Sequence, residues 1–389
     1  MKTLSTLLAA GLLAGLMTAT ASATDLGPLL AKLQAVGPGG VGDRVAAAAW
    51  QELARADAAQ LPTLLAALDQ AKPLAANWIR TAIDAVAERT LQSGGRLPAS
   101  ELEKFLHDQR HDPRARRLAY EWLRQVDPTA PDRLIPDALD DPSLEMRRDA
   151  VARLLDQASE RAQPERKADA VALYRKASTA ARDADQITLA AERLRSLGQN
   201  VDLARQFGFI VAWKVIGPLD NPDDKGSDQG YDAVYPPETG LDLAASCPGR
   251  HGVVRWIDYA TADDYGKVDF NAALGEEKSV AGYARAEFVS AVRREVEIRV
   301  ASDNALKVWL NGKLIDRRHV YHGGTQLDQY VTPVVLQPGP NVILVKVCQN
   351  AQTQDWARSW GFQLRVCDRE GFAILSRDRP GMEVPHESH

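Results

Sequence analysis

The sequence contains little cysteine. Only three of its 389 residues are cysteines, at positions Cys247, Cys348 and Cys367. An odd number of thiols leaves at least one unpaired even in an oxidising compartment. No two of them have the close spacing of zinc ligands. We therefore expect all three to act as small, buried apolar side chains.

A run of positive charge is also missing. The formal net charge is -5 and 25% of the residues are charged, which argues against nucleic acid and anionic membrane surfaces as main partners. After the N-terminal region, no apolar segment is long enough to span a bilayer. Hydrophobic residues make up 45% of the chain, a share typical of globular domains with a substantial core.

Signature motifs of common enzymes are absent as well. The sequence has no H-E-x-x-H, G-x-S-x-G or Walker A motif. Residues Gly37–Gly42 match G-x-G-x-x-G, but a helix-like segment precedes them, whereas a dinucleotide site requires a preceding strand. We therefore predict that the protein is not an enzyme.

The N-terminus has the features of a secretory signal peptide. Lys2 is followed by an apolar stretch from Leu7 to Met17 and then by the small residues Ala21-Ser22-Ala23. This order of a basic, an apolar and a small-residue region predicts cleavage after Ala23. We therefore expect residues 1–23 to be removed and the mature chain to be secreted or periplasmic.

Residues 24–200 show a helical period. Apolar side chains recur at i, i+3 and i+4, and "RRLAYEWL" (Arg116–Leu123) shares its Arg-Arg-x-Ala-x-x-x-Leu pattern with "RRDAVARL" (Arg147–Leu154). An Asp-Pro step precedes each copy. Such an echo predicts stacked helix pairs, and the segment resembles HEAT repeats. The alternative is a plain helical bundle.

The period changes from helical to strand-like between residues 198 and 208. Segments such as "REVEIRV" (Arg294–Val300) alternate apolar and polar residues, and Gly, Pro, Asn and Asp separate them. We therefore predict an antiparallel β-sandwich over residues 208–377 and a C-terminal tail over residues 378–389. The fold class is multidomain, with a HEAT-like α-solenoid or helical bundle followed by a jelly-roll sandwich.

Two hairpins are predicted within the sandwich. Asn311-Gly312 separates two strand-like runs, and this pair favours a two-residue type I′ turn because both residues adopt positive φ readily. A second hairpin is expected between residues 342–350 and 360–368. It would place Cys348 opposite about residue 362, too far from Cys367 for a disulfide bond.

The segment around the first hairpin resembles the jelly-roll sugar-binding domain of glycoside hydrolase family two. In that family a Trp-Leu-Asn-Gly-Lys hairpin precedes a His-x-Gly-Gly loop and a Pro-Gly-x-Asn turn. The matching positions here are Trp309, Leu310, Asn311, Gly312, Lys313, His322, Gly323, Gly324, Pro338, Gly339 and Asn341. The chain after Asp202 is also similar to secreted bacterial proteins of unknown role that join HEAT-like helices to one such sandwich.

Aromatic side chains are the candidates for sugar binding, because their faces stack on the apolar faces of sugar rings. The candidates are Trp256, Tyr259, Tyr265, Tyr321, His322 and Trp356. Packing in the core or at its edge is the alternative role for each of them. Trp309 lies within a strand and Trp360 begins one, so both are expected in the core.

An acidic loop, "DNPDDKGSDQGYD" (Asp220–Asp232), is a candidate calcium site. Calcium prefers several carboxylate and carbonyl oxygens from a flexible loop. The candidate ligands are Asp220, Asp223, Asp224 and Asp228. The same residue types are common in a solvated turn, and that is the alternative interpretation.

Together these features predict an extracytoplasmic, non-enzymatic binding protein. The helical repeats would bind a protein partner, and the sandwich would bind a carbohydrate or a cell-surface ligand. One alternative is a structural or assembly scaffold that binds no sugar. Another is a carbohydrate-active enzyme, whose two carboxylates a single sequence does not identify.

Overall fold

The computed structural model describes residues 25–379 except 222, 225, 226 and 241, and for residues 223, 224, 227 and 228 it describes the backbone only. The predicted signal peptide therefore lies outside the described residues, as does the tail from residue 380 onward. The chain divides into two compact units, and each is described here by itself. Unit 1 comprises residues 1–137 and 141–146, and unit 2 comprises residues 138–140 and 147–389.

Unit 1 is built from short helices. Its helices are α1 (Gly27–Gln34), α2 (Asp43–Leu53), α3 (Leu61–Ala66), α4 (Pro73–Gln92), α5 (Ala99–His107), α6 (Pro113–Val126), α7 (Ala130–Leu134) and the start of α8 (Leu144–Glu160). Proline occupies the first turn of several of them, where the missing N–H costs no hydrogen bond. Their apolar stripes form the core, in which Leu64, Ile79 and Ile83 are fully buried.

The two Arg-Arg echoes occupy similar local environments. The Asp112 carboxylate caps α6 by accepting from Arg114 N, and Asp141 accepts in the same way from Ser143 N. Arg116, which is 2% exposed, donates to both carboxylate oxygens of Asp141 at 3.0 and 2.7 Å. Arg147, at the equivalent position of the second copy, is also buried and donates to the Asp140 carbonyl. Both copies therefore place a buried arginine near an Asp-Pro step, although the two arginines bond to different groups.

Unit 2 contains further helices and the strands. Its helices include the rest of α8, α9 (Lys167–Ala180), α10 (Ala184–Ser196), α11 (Leu203–Phe207), α12 (Gln229–Asp232) and α13 (Phe270–Leu274). Tyr174 of α9 and Ile187 of α10 share a core with Phe207 and Phe209, against which Tyr265 and Leu327 pack. Helices α9–α11 therefore pack on the sandwich. The change from helix to strand falls between Phe207 and the first strand.

The strands form two principal antiparallel sheets. They are β1 (Ala212–Asp220), β2 (Asp223–Asp224), β3 (Ser227–Asp228), β4 (Ser246–Gly249), β5 (Gly252–Arg255), β6 (Ile257–Ala260), β7 (Val268–Asp269), β8 (Val280–Ser290), β9 (Arg294–Ala301), β10 (Ala305–Leu310), β11 (Lys313–Arg318), β12 (Tyr330–Leu336), β13 (Gly339–Gln349) and β14 (Gly361–Cys367). The larger sheet has six strands in the order β11-β10-β13-β8-β1-β6, and the smaller has four in the order β12-β9-β14-β7. The predicted fold class, helices followed by an antiparallel sandwich, is confirmed.

The sandwich core lies between these two sheets. Val296, Ile298 and Val300 of β9 are buried against residues of β8, β10 and β13, as their alternation predicts. Trp360 is 1% exposed and belongs to this core, so its predicted position is confirmed. Trp309 instead is only partly buried and lies on the opposite face of the larger sheet. Its predicted core position is therefore wrong.

The Asn311-Gly312 turn is confirmed. It joins β10 to β11, and both residues have positive φ, 51° and 79°. The Asn311 side chain also accepts from Val342 N at 2.8 Å and donates to the Asn341 side chain at 3.0 Å. The turn is therefore fixed both by its own backbone preference and by contacts to strand β13.

The second predicted hairpin is wrong. Strand β13 pairs with β8 and β10 in the larger sheet, while β14 pairs with β9 and β7 in the smaller one. The connection between β13 and β14 crosses from one sheet to the other, as in a jelly roll. All three cysteines are buried and none forms a disulfide bond, and burial raises the pKa of the Cys367 thiol to about 11. In the described part of the chain, no helix has the length and apolar character needed to cross a membrane.

Candidate functional site

The outer face of the larger sheet is covered by chain segments rather than left open. Tyr231 of α12, Cys247 of β4 and Trp256 after β5 pack on Tyr283 of β8 and Leu344 of β13. This second apolar layer gives the sheet two buried faces. It also creates concave surface where the covering is incomplete.

Strand register places chosen side chains in rows across this outer face. One row crosses four neighbouring strands in the order β10, β13, β8 and β1. Its members, in that order, are Trp309, Leu344, Arg285 and Lys214. Directly opposed residues in neighbouring strands have their Cβ atoms about 5 Å apart. Trp309 and Arg285 are therefore separated by one aliphatic side chain.

The next row carries two lysines side by side. Lys307 of β10 lies opposite Lys346 of β13, which lies opposite Tyr283 of β8. Two like charges in directly opposed positions destabilise a sheet. The chain between β3 and β6, which we call the covering segment, supplies their counter-charges. Glu238 lies 3.0 Å from Lys346 Nζ, and Asp232 lies 3.5 Å from Lys307 Nζ.

This lysine row forms a buried polar network. Lys346 is fully buried and also donates to the carbonyls of Tyr231 and Ala233 at 3.2 and 2.7 Å. The Tyr283 hydroxyl donates to the Glu238 carboxylate. Burial lowers the pKa of Lys346 below its ordinary value, and burial together with the Glu238 charge raises the pKa of Tyr283 well above its ordinary range. The network therefore holds the covering segment on the sheet.

A cavity of about 770 Å³ opens beside this network. Its size falls within the range of small-molecule sites in proteins. Two tryptophans, one arginine, two carboxylates and aliphatic side chains are among the groups that line it. These residues include Glu238, Asp242, Trp256, Arg285, Trp309 and Leu344.

Two polar groups of the cavity have no partner within the described part of the chain. Trp256 is 8% exposed, yet its indole Nε1 finds no hydrogen-bond acceptor among the described residues. Arg285 is half-buried, and within the same part of the chain its guanidinium group takes part in no hydrogen bond or ion pair. Buried donors are normally paired in folded proteins. The Arg285 guanidinium group is therefore open to a bound molecule, whereas the Trp256 N–H has almost no exposed surface and needs a side-chain movement to reach one.

The structure brings three of the predicted aromatic residues together elsewhere. The Tyr321 ring lies 6.0 Å from the His322 ring, which meets the Trp356 ring edge-on at 4.9 Å. His322 Nε2 is 3.2 Å from Asn350 Oδ1. Trp356 is 59% exposed, whereas Tyr321 and His322 are half-buried. We call Tyr321, His322 and Trp356 the loop cluster.

The remaining predicted aromatic residues are separated from one another. Trp256 lines the cavity. Tyr259 packs against the sandwich core, and its hydroxyl accepts from Asp269 N at 3.2 Å. Tyr265 packs beside Phe207, and its hydroxyl is 3.2 Å from Thr188 Oγ1. The six candidates therefore do not form a single site.

The predicted calcium ligands are described only in part. The backbones of β2 and β3 pair, with Asp223 opposite Asp228 and Asp224 opposite Ser227. The side chains of Asp223, Asp224 and Asp228 lie outside the described residues, and Asp220 is exposed. Among the described side chains, no group of three or more His, Cys, Asp or Glu residues could hold a metal ion.

The sequence interpretation missed most of the cavity. Arg285 and Glu238 carry no motif, and Trp309 was expected in the core. The register of β8, β10 and β13 would have placed Arg285 in one row with Trp309, but sequence alone does not give that register. Trp256 alone was identified from its residue type.

Comparisons with known proteins give low similarity. No protein-family model and no curated protein matches the sequence. An anti-sigma factor domain-containing protein aligns with 31% of this chain and 39% of its own, at 15% identity and a TM-score of 0.23. A β-glucuronidase of Faecalibacterium prausnitzii aligns with 36% of this chain and 21% of its own, at 19% identity and a TM-score of 0.21.

A β-glucosidase of Kluyveromyces marxianus aligns with more of this chain, 74%, and with 35% of its own, at 10% identity and a TM-score of 0.25. The chain therefore spans well under half the length of these three proteins. Several of the similar structures are glycosidases, but similarity at this level carries no argument about function.

Proposed function

We propose that this protein is an extracytoplasmic carbohydrate-binding protein whose sugar site is the cavity on the outer face of the larger sheet. The observation that carries the proposal is the combination, in one cavity, of two tryptophans with two donors that have no partner among the described residues. Carbohydrates need both, because their rings have apolar faces and hydroxyl edges. The resemblance of the β10–β13 region to a sugar-binding sandwich agrees with it.

Each group would have a distinct part in binding. The partly buried Trp309 ring offers an aromatic surface on which a sugar ring can stack. The Trp256 indole N–H, which has almost no exposed surface in the free protein, would donate to a sugar oxygen after a side-chain movement uncovers it. Leu344, between Trp309 and Arg285 in the row, provides an aliphatic floor. Burying these groups on binding removes apolar surface from water and satisfies a donor at the same time.

The carboxylates in the cavity support binding rather than hydrolysis. Glu238 is engaged by Lys346 at 3.0 Å and by the Tyr283 hydroxyl. Asp242 accepts from Ala244 N at 2.7 Å. A glycosidase needs two carboxyl groups free to act on opposite sides of the scissile bond. We propose that this protein has no such activity.

Export and the helical repeats belong to the same proposal. Cleavage after Ala23 would release a mature chain that begins at Thr24, and the mass of the protein recovered from the periplasm or medium tests this.

The helices of unit 1 would bind a protein partner. Removal of residues 24–137 should then abolish co-purification of that partner. The sugar affinity of the truncated protein is compared with that of the full chain.

The sugar site is tested by a glycan array followed by calorimetry with the saccharide found. Trp309→Leu removes the stacking surface, and Trp256→Phe keeps a ring but removes the N–H. Each should weaken binding about tenfold or more. Trp356→Leu, in the loop cluster, is the matched control and should bind like the wild type. Circular dichroism and the thermal midpoint check that each variant is folded.

The competing interpretations predict different results. A scaffold that binds no sugar would give no signal on the array at any protein concentration used. A site at the loop cluster would give binding that Trp356→Leu abolishes and Trp309→Leu does not. Release of reducing sugar from the bound saccharide would contradict the proposal that the protein is not an enzyme.

A further inference from the structure

Arg285 is a charged group in the cavity that has no counter-ion among the described residues. We propose that it selects acidic sugars, by pairing its guanidinium group with the carboxylate of a uronic acid residue. This inference rests on the proposed function, because it names the class of sugar that the same cavity accepts. It makes a separate claim, since a neutral sugar could bind the tryptophans without Arg285.

In the described part of the chain, none of the charged residues near Arg285 forms an ion pair with it; Asp242, which lines the same cavity, accepts from Ala244 N. Lys214, opposite it in the row, pairs with Asp258 at 2.6 Å. Glu238 is neutralised by Lys346 at 3.0 Å. Glu287, two residues along the same face of β8, is exposed and forms no ion pair with Arg285 in the described structure.

The position of Arg285 suits a ligand rather than solvent. It is half-buried in a concave surface, where a charge pair is screened less than at an exposed site. The planar guanidinium group can donate two parallel hydrogen bonds to one carboxylate, which adds orientation as well as affinity. A neutral sugar hydroxyl cannot accept both in that geometry.

The spacing also fits a single sugar residue. Trp309 and Arg285 lie two strands apart in one row, which corresponds to about 10 Å at about 4.8 Å per strand. A pyranose ring stacked on Trp309 above Leu344 would direct a substituent toward Arg285. A carboxylate at that substituent would then meet the guanidinium group.

The experiment compares matched pairs of saccharides by calorimetry. Glucuronate- and galacturonate-containing oligosaccharides are titrated beside the corresponding glucose and galactose oligosaccharides. The wild type should bind the acidic member of a pair about 10- to 100-fold more tightly, as expected for charged hydrogen bonds. Arg285→Gln should remove that preference and bring both members to the neutral affinity. Arg294→Gln, at an exposed arginine in β9, is the control and should keep the preference.

Failure of this inference differs from failure of the proposed function. Equal wild-type affinity for acidic and neutral members would overturn the acidic preference and leave sugar binding intact. A preference that survives in Arg285→Gln would also overturn it, because another group would then supply the charge. No binding of any saccharide would overturn the proposed function itself. Rising salt should weaken only the acidic member in the wild type.

Discussion

At the scale of single residues, Asn311 shows how local and tertiary requirements coincide. Its positive φ is needed for the turn, and its side chain bridges the turn to Val342 and Asn341. Asn341 is fully buried and itself donates to the carbonyl of Gln337 at 2.8 Å. The side chain of one turn residue therefore connects two loops at the same end of the larger sheet.

Replacing Asn311 by Ala should destabilise the sandwich. The substitution removes two hydrogen bonds and places a side chain that disfavours positive φ at the turn, so we expect a loss of about 1–3 kcal/mol in the free energy of unfolding. Urea denaturation followed by circular dichroism measures it. Lys313→Ala, at the exposed position after the turn, should change stability by less than about 0.5 kcal/mol. Equal effects of the two substitutions would contradict this account of the turn.

Tyr283 gives a prediction that depends on pH. Burial and the Glu238 charge raise its pKa above the ordinary value of 10.0. A group whose pKa is raised by folding stabilises the protein below its unfolded pKa, and this contribution is lost as the pH rises. Tyr283→Phe removes a charged hydrogen bond, so it should lower the free energy of unfolding by about 1.5–3 kcal/mol near neutral pH.

The difference between wild type and Tyr283→Phe should shrink above about pH 10, because only the unfolded wild type ionises there. Denaturant titrations at about pH 7 and at about pH 10.5 measure the two differences. Lys346 is present in both proteins, so its own titration largely cancels. If the difference in the free energy of unfolding stays constant over this range, Tyr283 ionises as easily in the folded state as in the unfolded state, which would contradict this prediction.

At the scale of elements, a charge network joins the strands of the smaller sheet to the preceding loop. Asp328 accepts from Arg299 of β9 at 2.7 Å and from Arg365 of β14 at 2.6 and 2.5 Å. Arg365 is 3% exposed and also donates to the Phe207 carbonyl at 3.0 Å. Burial opposes ionisation of Asp328, but the two arginines outweigh it and lower its pKa. The network therefore links the last strand to the end of helix α11.

Asp328→Asn should be strongly destabilising. It leaves the buried Arg365 and the half-buried Arg299 guanidinium groups with less counter-charge, and breaking a buried ion pair costs about 3–5 kcal/mol. The exposed pair Arg369–Glu295, at 2.8 Å, is the control, and Glu295→Gln should cost no more than about 1 kcal/mol. Thermal and urea denaturation measure both. A small loss for Asp328→Asn would mean that the network contributes little net stability.

The strands were predictable where the sequence carries local information, and their pairing was predictable only at one turn. Alternation identified β9 and much of β13 and β14, and Asn311-Gly312 fixed the pairing of β10 with β11. The connection after Cys348 has no such turn chemistry, so the sequence did not reveal that β14 joins the other sheet.

The cavity was missed because the pairing of the strands was not predicted. Arg285 and Trp309 meet only through strand register, and Glu238 comes from a segment without any period.

At the scale of the whole molecule, the sandwich uses both faces of its larger sheet. The inner face forms the core with the smaller sheet, and the outer face holds the lysine row, the covering segment and the cavity. Burial of a charged row is costly unless each charge is paired, and Asp232 and Glu238 pair with Lys307 and Lys346. The covering segment therefore forms one wall of the cavity as well as shielding the sheet.

The most direct test of the central claim is the response of the tryptophan indole N–H signals to a bound saccharide. In a ¹H–¹⁵N spectrum, assigned with single Trp→Phe variants, the Trp256 Nε1–H signal should shift because this donor gains a partner. The Trp309 signal should shift because its ring is covered, and the Trp356 signal should stay unchanged. A shift confined to Trp356, or no shift with a saccharide that calorimetry shows to be bound, would contradict the claim that the sugar occupies this cavity.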